Sequence, residues 1–431
     1  MKNILHTAPD YWQLSNIEPQ LDLTDFDKVT TKHQDKFNAN YANLTLTTAL
    51  QPIFSIDHQR IIGYEALIRG KDKSAQPVSP IDLLDIPSNE QESIYLDRLC
   101  RYLHVSNFQK ISGDNNWLFL NISAQASVKG RNYGLFFAEL LKRFNIKPHN
   151  VVVEIIEDPT TDNEQLLASA NYYKDMGCLL AIDDFGAGHS NFERVWNLKP
   201  DIVKLDRTLL VRALSSDKTQ SLLNSLVDLL HQAGCLVVIE GVEDEEQALI
   251  AMDSGADFIQ GYYFARPQEK PLDPLEKSDI FKQLANKYIN QQTEINKKHV
   301  NSIDKYCRKF RESVLNLQQG LNFITACQPL AELNKSIRCF LTDELGNQIS
   351  NTLLFKDNSL SNGKFEQLKL SENANWFRKH YIRNAIEHPS RMYISRPYRS
   401  ITGDGLCCTI SVAFKILGKN HVLCFDMEPH C

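Results

Sequence analysis

The sequence predicts an α/β protein in which a TIM-like barrel is followed by a long helix and a small α+β domain. Its 431 residues are too many for one ordinary hydrophobic core, so two folded domains are expected. Short apolar runs alternate with amphipathic stretches from about residue 46 to residue 270, and this rhythm stops at about residue 274. We therefore expect an N-terminal lead-in over 1–45, a barrel over 46–273, a linker helix over 274–327 and a second domain over 328–431.

The overall composition is that of an ordinary globular protein, with 42% hydrophobic and 23% charged residues. A net charge of -6 gives no general basic patch, so no DNA partner is expected. No apolar run reaches the roughly 18 residues of a membrane span, and the start, MKNILHTAPDYWQL, lacks the apolar core of a signal peptide. The 10 cysteines show no metal-ligand spacing, which favours reduced thiols and a cytoplasmic location.

The barrel is predicted from six apolar runs that read as strands: WLFLNIS, VVVEII, LLAIDDF, DIVKLD, CLVVIEG and DFIQGYYF. Helical patterns lie between them, such as QSLLNSLVDLLHQAG, which closes with a glycine. Alternating strands and helices form parallel βαβ units. Because the runs are continuously apolar, we expect strands that are buried on both faces.

Each of these runs ends in a polar side chain, and a seventh run, IIGYEALIRG, carries one within it. The set is Glu65, Asn121, Glu154, Asp183 with Asp184, Lys204, Glu240 and Gln260. A single polar residue at a strand end is as often a loop cap as a functional group. A parallel barrel gathers the C-terminal ends of its strands on one face, so seven in succession predict a shared site there.

The acidic members of this set predict a two-metal site. Glu65, Asn121, Glu154, Asp183 and Asp184 offer only oxygen ligands, which suit Mg²⁺ or Mn²⁺ better than zinc. Two adjacent carboxylates resist burial unless a cation compensates them. If Asp183 bridges two cations and Asp184 binds the second, the pair can serve an in-line phosphoryl displacement by water.

The remaining members are candidates for the reaction itself. Lys204 could position the attacking water or neutralise charge on the reacting phosphate, and Glu240 could orient or deprotonate that water. Gln260 could hold water or a neighbouring ligand. The three are therefore predicted as catalytic residues.

These residues resemble a known family. The motifs YEALIRG, NIS, EIIE, DDFGAGHSNF, KLD, EGVE and QGYYFARP stand in the order found in bacterial EAL-domain cyclic di-GMP phosphodiesterases. The resemblance covers residues 46–270 and implies a signalling hydrolase that converts cyclic di-GMP to 5′-pGpG. By resemblance, Glu65, Asn121, Glu154 and Asp183 hold one metal, and Asp183 and Asp184 the other. It further implies that Arg69 binds a substrate phosphate and that Asp206 lies close to the second metal and the substrate. Glu157 is implied to stabilise the loop after the Asp pair.

One loop departs from the family pattern, because Ala187 and His189 replace a threonine and a tyrosine. The ligands of the first metal are unaffected, whereas the replaced residues belong to the loop that positions the second metal in the family. Two other functions compete with the phosphodiesterase. One is an inactive EAL-type receptor for cyclic di-GMP or for a protein. The other is an aldolase-like barrel with Lys204 in a Schiff base, which the surrounding acids disfavour because they stabilise its ammonium form.

Beyond the barrel, a helical stretch carries apolar residues at spacings of three and four. They are Val300, Ile303, Cys307, Phe310, Val314, Leu317, Leu321 and Ile324. Two interpretations stay open: this seam packs on its own domain, or it pairs with a second copy in a homodimer.

The last 104 residues read as a hairpin, a helix and three strands, an order that predicts a small antiparallel sheet with a helix against it. This segment resembles PAS or Cache sensory domains. The resemblance implies an unidentified small ligand or partner, for which Trp376, Arg383, Tyr393, Tyr398 and Arg399 could line a pocket; ordinary core and surface roles are the alternative.

Overall fold

The structure, a computed structural model, describes residues 22–33, 36–109, 111, 116–122, 136–155, 163–187, 192–355, 374–400 and 406–429. The chain divides into two compact units, residues 1–289 and 290–431. Among the described helices, none is both long and apolar enough to cross a membrane.

The first unit is built from strands that alternate with helices. Its described strands are β1 (Thr30–His33), β2 (Lys36–Tyr41), β3 (Leu44–Ser55), β4 (Arg60–Lys71), β5 (Pro77–Val78), β6 (Trp117–Ile122), β7 (Val151–Ile155), β8 (Leu179–Phe185), β9 (Ile202–Leu205), β10 (Leu236–Ile239) and β11 (Phe258–Ile259). Its described helices are α1 (Leu23–Val29), α2 (Pro80–Leu84), α3 (Glu90–Phe108), α4 (Phe136–Arg143), α5 (Asn163–Asp175), α6 (Phe192–Leu198), α7 (Arg207–Ala213), α8 (Asp217–Gln232), α9 (Glu245–Asp253) and the beginning of α10 (Ser278–Gln318).

The sheet of this unit closes into the predicted TIM-like barrel. Its order is β1-β2-β3-β11-β10-β9-β8-β7-β6-β4-β5, and β3 also pairs with β4, which closes the ring. The ring is mixed rather than fully parallel, because β3 runs antiparallel to both β4 and β11. The physical reason is the connection: only residues 56–59 join β3 to β4. A link this short allows a hairpin, whereas a parallel pair needs a crossover of about a dozen residues.

Burial on both faces of the strands is confirmed. All five residues of β7 are buried. A layer of side chains fills the barrel interior, and it comprises Ile53, Phe119, Val152, Ala181, Ile202, Val238 and Phe258. A larger cluster, which includes Leu118, Val153, Leu180, Val203 and Val237, packs on the other face of the same strands. Alternate residues of each strand therefore serve two cores.

The second unit is an antiparallel sheet with helices packed against it. Its strands are β12 (Ser336–Asp343), β13 (Leu353–Leu354), β14 (Tyr393–Ile394), β15 (Tyr398–Arg399), β16 (Leu406–Ile416) and β17 (Lys419–Met427), and its helices are α11 (Phe323–Ala326), α12 (Gln328–Ala331) and α13 (His380–Glu387). The sheet order is β13-β12-β17-β16-β14, and β15 pairs with β16. The predicted small sheet with a helix against it is present.

The seam of helix α10 packs on its own unit. Phe310 and Leu317 are 0% and 4% exposed and lie in one core with Leu423 and Phe425 of β17. These two side chains are therefore covered within their own unit, as the first of the two interpretations predicts. The seam is also shorter than predicted, because α10 ends at Gln318 and Gly320 follows with a φ of +85°. Glycine takes this left-handed conformation readily and commonly ends helices.

This packing leads to a stability prediction for Phe310→Ala. The change leaves a cavity in the second core and should lower the free energy of unfolding by about 3–5 kcal/mol. Leu315→Ala on the same helix is the control, since Leu315 is 56% exposed and its loss should cost below about 0.5 kcal/mol. Denaturant unfolding and sedimentation measure both variants. A Phe310→Ala protein of unchanged stability that has become monomeric would instead support the pairing of two subunits.

Candidate active site

The site residues lie two positions after the residues of the interior layer. In six strands of the ring, the residue of that layer is followed two positions later by a polar residue. The pairs are Phe119 and Asn121, Val152 and Glu154, Ala181 and Asp183, Ile202 and Lys204, Val238 and Glu240, and Phe258 and Gln260. Side chains two apart on a strand share a face. Each of these polar groups therefore points into the barrel, one level above the apolar layer, at the C-terminal ends of the parallel strands. The predicted convergence is present.

Lys204 lies at the centre of this group, with a side chain that is 1% exposed. Its Nζ lies 2.6 Å from Glu154 Oε1, 2.7 Å from Glu240 Oε1 and 2.9 Å from Asp183 Oδ1. A fourth carboxylate, Glu65, has its Oε2 at 3.4 Å. One ammonium thus contacts acids from the ends of three strands and from the middle of β4.

Glu65 is held by two side-chain amides. Asn121 Nδ2 donates to Glu65 Oε1 at 2.9 Å, and Gln260 Nε2 donates to Glu65 Oε2 at 2.8 Å. Both carboxylate oxygens are thereby oriented. The amides use their nitrogen atoms as donors, which leaves their oxygen atoms as acceptors.

Asp183 and Asp184 reach the same side of the barrel because the strand is irregular. Adjacent residues on a regular strand point to opposite faces. The pairing of β8 with β9 shifts register between Ile182 and Phe185, and Asp184 has a φ of +51°. A bulge of this kind redirects a side chain. As a result, single carboxylate oxygens of Asp183, Asp184 and Glu240 all lie within 4.8 Å of one another.

The left-handed backbone at Asp184 yields a prediction that separates strain from charge. Asn adopts this conformation more readily than other residues that carry a Cβ, whereas Ala pays about 1–2 kcal/mol. Asp184→Asn and Asp184→Ala remove the same charge, so the Ala variant should be less stable by about 1 kcal/mol. Denaturant unfolding of the two purified variants measures this difference. Equal stability, or a more stable Ala variant, would show that the backbone there is unstrained.

The carboxylates outnumber the cation, and the titration of the site reflects it. Burial raises the pKa of Glu154 well above its usual value, although the Lys204 ammonium opposes the shift. Burial acts to lower the pKa of Lys204, but Asp183, Glu154, Glu240 and Glu65 outweigh it and hold that pKa well above normal. Burial also raises the pKa of Glu240, with Asp183 and Glu65 adding to the effect and Lys204 opposing it. Without a metal ion, Glu154 and Glu240 therefore hold protons more readily than ordinary carboxyl groups, and a divalent cation would compete with those protons.

The same residues fit divalent metal ions. Glu154 Oε2 and Gln260 Oε1 are fully buried and receive no hydrogen bond from any residue that the structure describes. Buried polar atoms are normally paired, so acceptor oxygens directed into an acidic pocket indicate cation binding. Carboxylate and amide oxygens are the ligands that Mg²⁺ and Mn²⁺ prefer.

The other predicted site residues lie nearby or outside the described residues. Arg69 is on β4, four residues beyond Glu65 and hence on the same face of the strand. Asp206 caps helix α7, with its Oδ1 accepting from the Thr208 amide at 2.9 Å. Ala187 is exposed, and its amide donates to the Asp184 carbonyl at 3.1 Å. Glu157 and His189 lie outside the described residues.

Two glycines of this site were not among the predicted site residues. Gly186 (φ +104°) follows the Asp pair by two residues, and Gly241 (φ +66°) directly follows Glu240. The signal that could have found them is a glycine one or two residues beyond a site acid at a strand end, which marks a tight turn.

Comparison with known proteins places this geometry in a family. Residues 34–267 match the model of the EAL domain. The chain is 28% identical over 323 residues to the uncharacterized EAL-domain containing protein YkuI of Bacillus subtilis, which covers 71% of this chain and 77% of YkuI. The crystal structure of YkuI, in complex with cyclic di-GMP and calcium, superposes with a TM-score of 0.76 at 23% identity, over 90% of this chain and 97% of that one. At this identity the likeness shows the fold alone.

A shorter match is to the cyclic di-GMP phosphodiesterase RocR of Pseudomonas aeruginosa. It is 36% identical over 133 residues, which is 30% of this chain and 33% of RocR. The likeness to RocR therefore concerns part of the barrel. Since the domain model covers more than half of the sequence, this chain belongs to the EAL-domain family.

Proposed function

We propose that the chain is a metal-dependent phosphodiesterase that hydrolyses cyclic di-GMP to 5′-pGpG. The observation that carries this proposal is the convergence of Glu65, Glu154, Asp183 and Glu240 on Lys204 within 3.4 Å. Every position of the family's metal motif is filled by a residue of the right type, and RocR, by name a cyclic di-GMP phosphodiesterase, resembles part of the barrel.

The metal ligands in this proposal are Glu65, Asn121, Glu154, Asp183 and Asp184, with Mg²⁺ or Mn²⁺ as the cofactor. When bound, two such ions activate a water molecule and neutralise phosphate charge in an in-line displacement.

Other residues then position the water and the substrate. Lys204, 2.7 Å from Glu240, orients that carboxylate so that it can accept the proton of the attacking water. Gln260 fixes Glu65 and keeps its own oxygen directed into the site. Arg69 supplies a cation for a substrate phosphate, since arginine suits planar recognition of phosphate oxygens. Asp206 caps helix α7 through Oδ1, and we assign it to the substrate side of the site because it follows Lys204 by two residues.

The choice of metal gives the test of this proposal. With Mg²⁺ or Mn²⁺ the purified chain should convert cyclic di-GMP to 5′-pGpG, and a chelator should stop the reaction. Ca²⁺ should support nucleotide binding but little turnover, because its longer and looser coordination does not suit a tight two-metal geometry. Chromatography of the products and calorimetry of nucleotide binding measure the two properties. Binding without turnover in every metal would indicate an inactive receptor, and full activity in Ca²⁺ alone would contradict the proposed site.

Control by the second unit is part of the same proposal. Its antiparallel sheet carries α13 on one face and the end of α10 on the other, an arrangement that agrees with a PAS-like sensory domain. The candidate pocket residues are largely engaged already: Trp376 Nε1 donates to Gln348 Oε1 at 3.0 Å, and the Tyr398 hydroxyl lies 2.7 Å from that of Thr409. A ligand would therefore need a rearrangement of these contacts. A homodimer would need a surface other than the buried seam of α10.

A further inference from the structure

Helix α7 begins directly after the site residues of β9. Lys204 lies on β9, Asp206 caps the helix, and Arg207 is its first residue. The first turn of α7 therefore emerges beside the site and lies next to the two loops that carry Asp184 and Glu240. Its contacts with both loops are made through glycines.

Arg207 covers the glycine that follows Glu240. A Cβ placed on Gly241 would lie 2.6 Å from Cβ, 2.7 Å from Cγ and 2.9 Å from Cδ of Arg207. The aliphatic stem of Arg207 thus occupies the space that a side chain at position 241 would need. The loop is further fixed by its backbone, since the Glu240 amide donates to the Leu205 carbonyl at 3.2 Å and the Val242 amide to the Gln260 carbonyl at 3.1 Å.

Leu209 makes the matching contact on the other loop. A Cβ on Gly186 would lie 2.5 Å from Cδ1 and 2.8 Å from Cγ of Leu209. Gly186 follows Asp183 and Asp184, so the first turn of α7 lies between the loop of the Asp pair and the loop of Glu240. The two contacts come from the first and third residues of α7, and they restrict how far Gly186 and Gly241 can move.

The packing of the Arg207 stem matters more than its charge. The Arg207 guanidinium pairs with Glu243, but the two side chains are 48% and 41% exposed. Exposed ion pairs of this kind contribute little, about 0–1 kcal/mol. The contact with Gly241, by contrast, leaves no room between the stem and the backbone next to Glu240.

We propose that Arg207 is a positioning residue, whose stem packs on Gly241 and holds Glu240 within reach of Lys204. It touches neither substrate nor metal in this account and acts only through the loop. The proposal rests on the proposed function for its effect on turnover, whereas its effect on the loop can be measured without any reaction.

Three variants of the full chain separate the stem from the charge. Arg207→Ala removes both, Arg207→Gln keeps the carbons to Cδ without the charge, and Glu243→Gln removes the partner of the ion pair. Misplacing a reacting group by about 1 Å can cost about 100-fold in rate. We expect kcat of Arg207→Ala to fall about 10-fold or more with KM within about 2-fold. The other two variants should stay within about 2-fold of wild type.

Amide hydrogen exchange of the same variants gives a readout that does not depend on catalysis. In Arg207→Ala, the amides of Glu240 and Val242 should exchange faster while strands β7 and β9 stay protected. Normal kcat and normal protection in Arg207→Ala would overturn the proposal. An equal loss in all three variants would overturn the role of the stem in favour of the ion pair. If wild type shows no turnover, the proposed function fails, and exchange alone decides whether Arg207 holds the loop.

Discussion

Glu65→Gln should lower turnover of cyclic di-GMP by about 100- to 1,000-fold, the usual cost of losing one well-placed charged or polar group from an active site. Glu65 accepts hydrogen bonds from Asn121 and Gln260 and lies 3.4 Å from Lys204. A glutamine has the same shape, but it loses the charge that binds the metal. The amide nitrogen of the introduced glutamine would also face Asn121 or Gln260, both of which donate a hydrogen bond to the carboxylate in the wild type.

The measurement is kcat at saturating metal, together with circular dichroism and thermal unfolding to show that the barrel remains folded. Glu246→Gln on α9 is the matched control, because Glu246 is exposed and is not one of the acids that contact Lys204. It should keep wild-type activity. Turnover of Glu65→Gln close to that of the control would remove Glu65 from the metal site and with it the mechanism proposed above.

Lys204→Met should separate stability, metal affinity and turnover. The ammonium is buried among four carboxylates, and removing one partner of a buried ionic network commonly costs about 3–5 kcal/mol. In the presence of a chelator the variant should therefore unfold at a lower denaturant concentration. Added Mg²⁺ should restore much of the loss, because a divalent cation then neutralises the same acids.

Metal affinity should move in the opposite direction to activity. The positive charge of Lys204 opposes cation binding to its neighbours, so Mn²⁺ should bind Lys204→Met more tightly than wild type while turnover falls. Calorimetry measures the affinity, and Lys218→Met, an exposed lysine on α8, is the control. Unchanged stability in chelator combined with weaker Mn²⁺ binding would show that Lys204 is not the counter-ion of this site.

Much of the candidate site can be predicted from the sequence because parallel strands impose a simple rule. Apolar runs that end in a polar residue place those residues at one rim of the barrel. Val152 and Glu154, or Ile202 and Lys204, follow the same alternation in which one side chain fills the interior and the next but one enters the site. The strand pattern therefore predicts the members of the site without any knowledge of their distances.

Other features depend on contacts that no local pattern records. The doublet Asp183-Asp184 violates strand alternation, but only the structure reveals the bulge and the left-handed Asp184 that resolve it. Lys204 lies at the centre of the site because acids from four separate segments of the chain contact it. These acids are Glu65, Glu154, Asp183 and Glu240. The antiparallel β3 follows from the short connection over residues 56–59, a feature that the pattern of apolar runs does not contain.

The seam of α10 shows a general ambiguity of helical periodicity. Apolar residues at spacings of three and four predict that one helix face is covered, but they do not identify what covers it. Phe310 and Leu317 are covered by β17 and its neighbours in the same unit. The same pattern would be expected of a helix that pairs with a second copy.

The account as a whole depends on water attacking the phosphorus atom of cyclic di-GMP at the site around Lys204. The most direct test is a single-turnover reaction of the full chain with Mn²⁺ in water enriched in oxygen-18, followed by mass spectrometry. The account predicts 5′-pGpG with one heavy oxygen in its terminal 5′-phosphate, and no such product from Glu65→Gln. Intact cyclic di-GMP, or a linear product without the label, would contradict it.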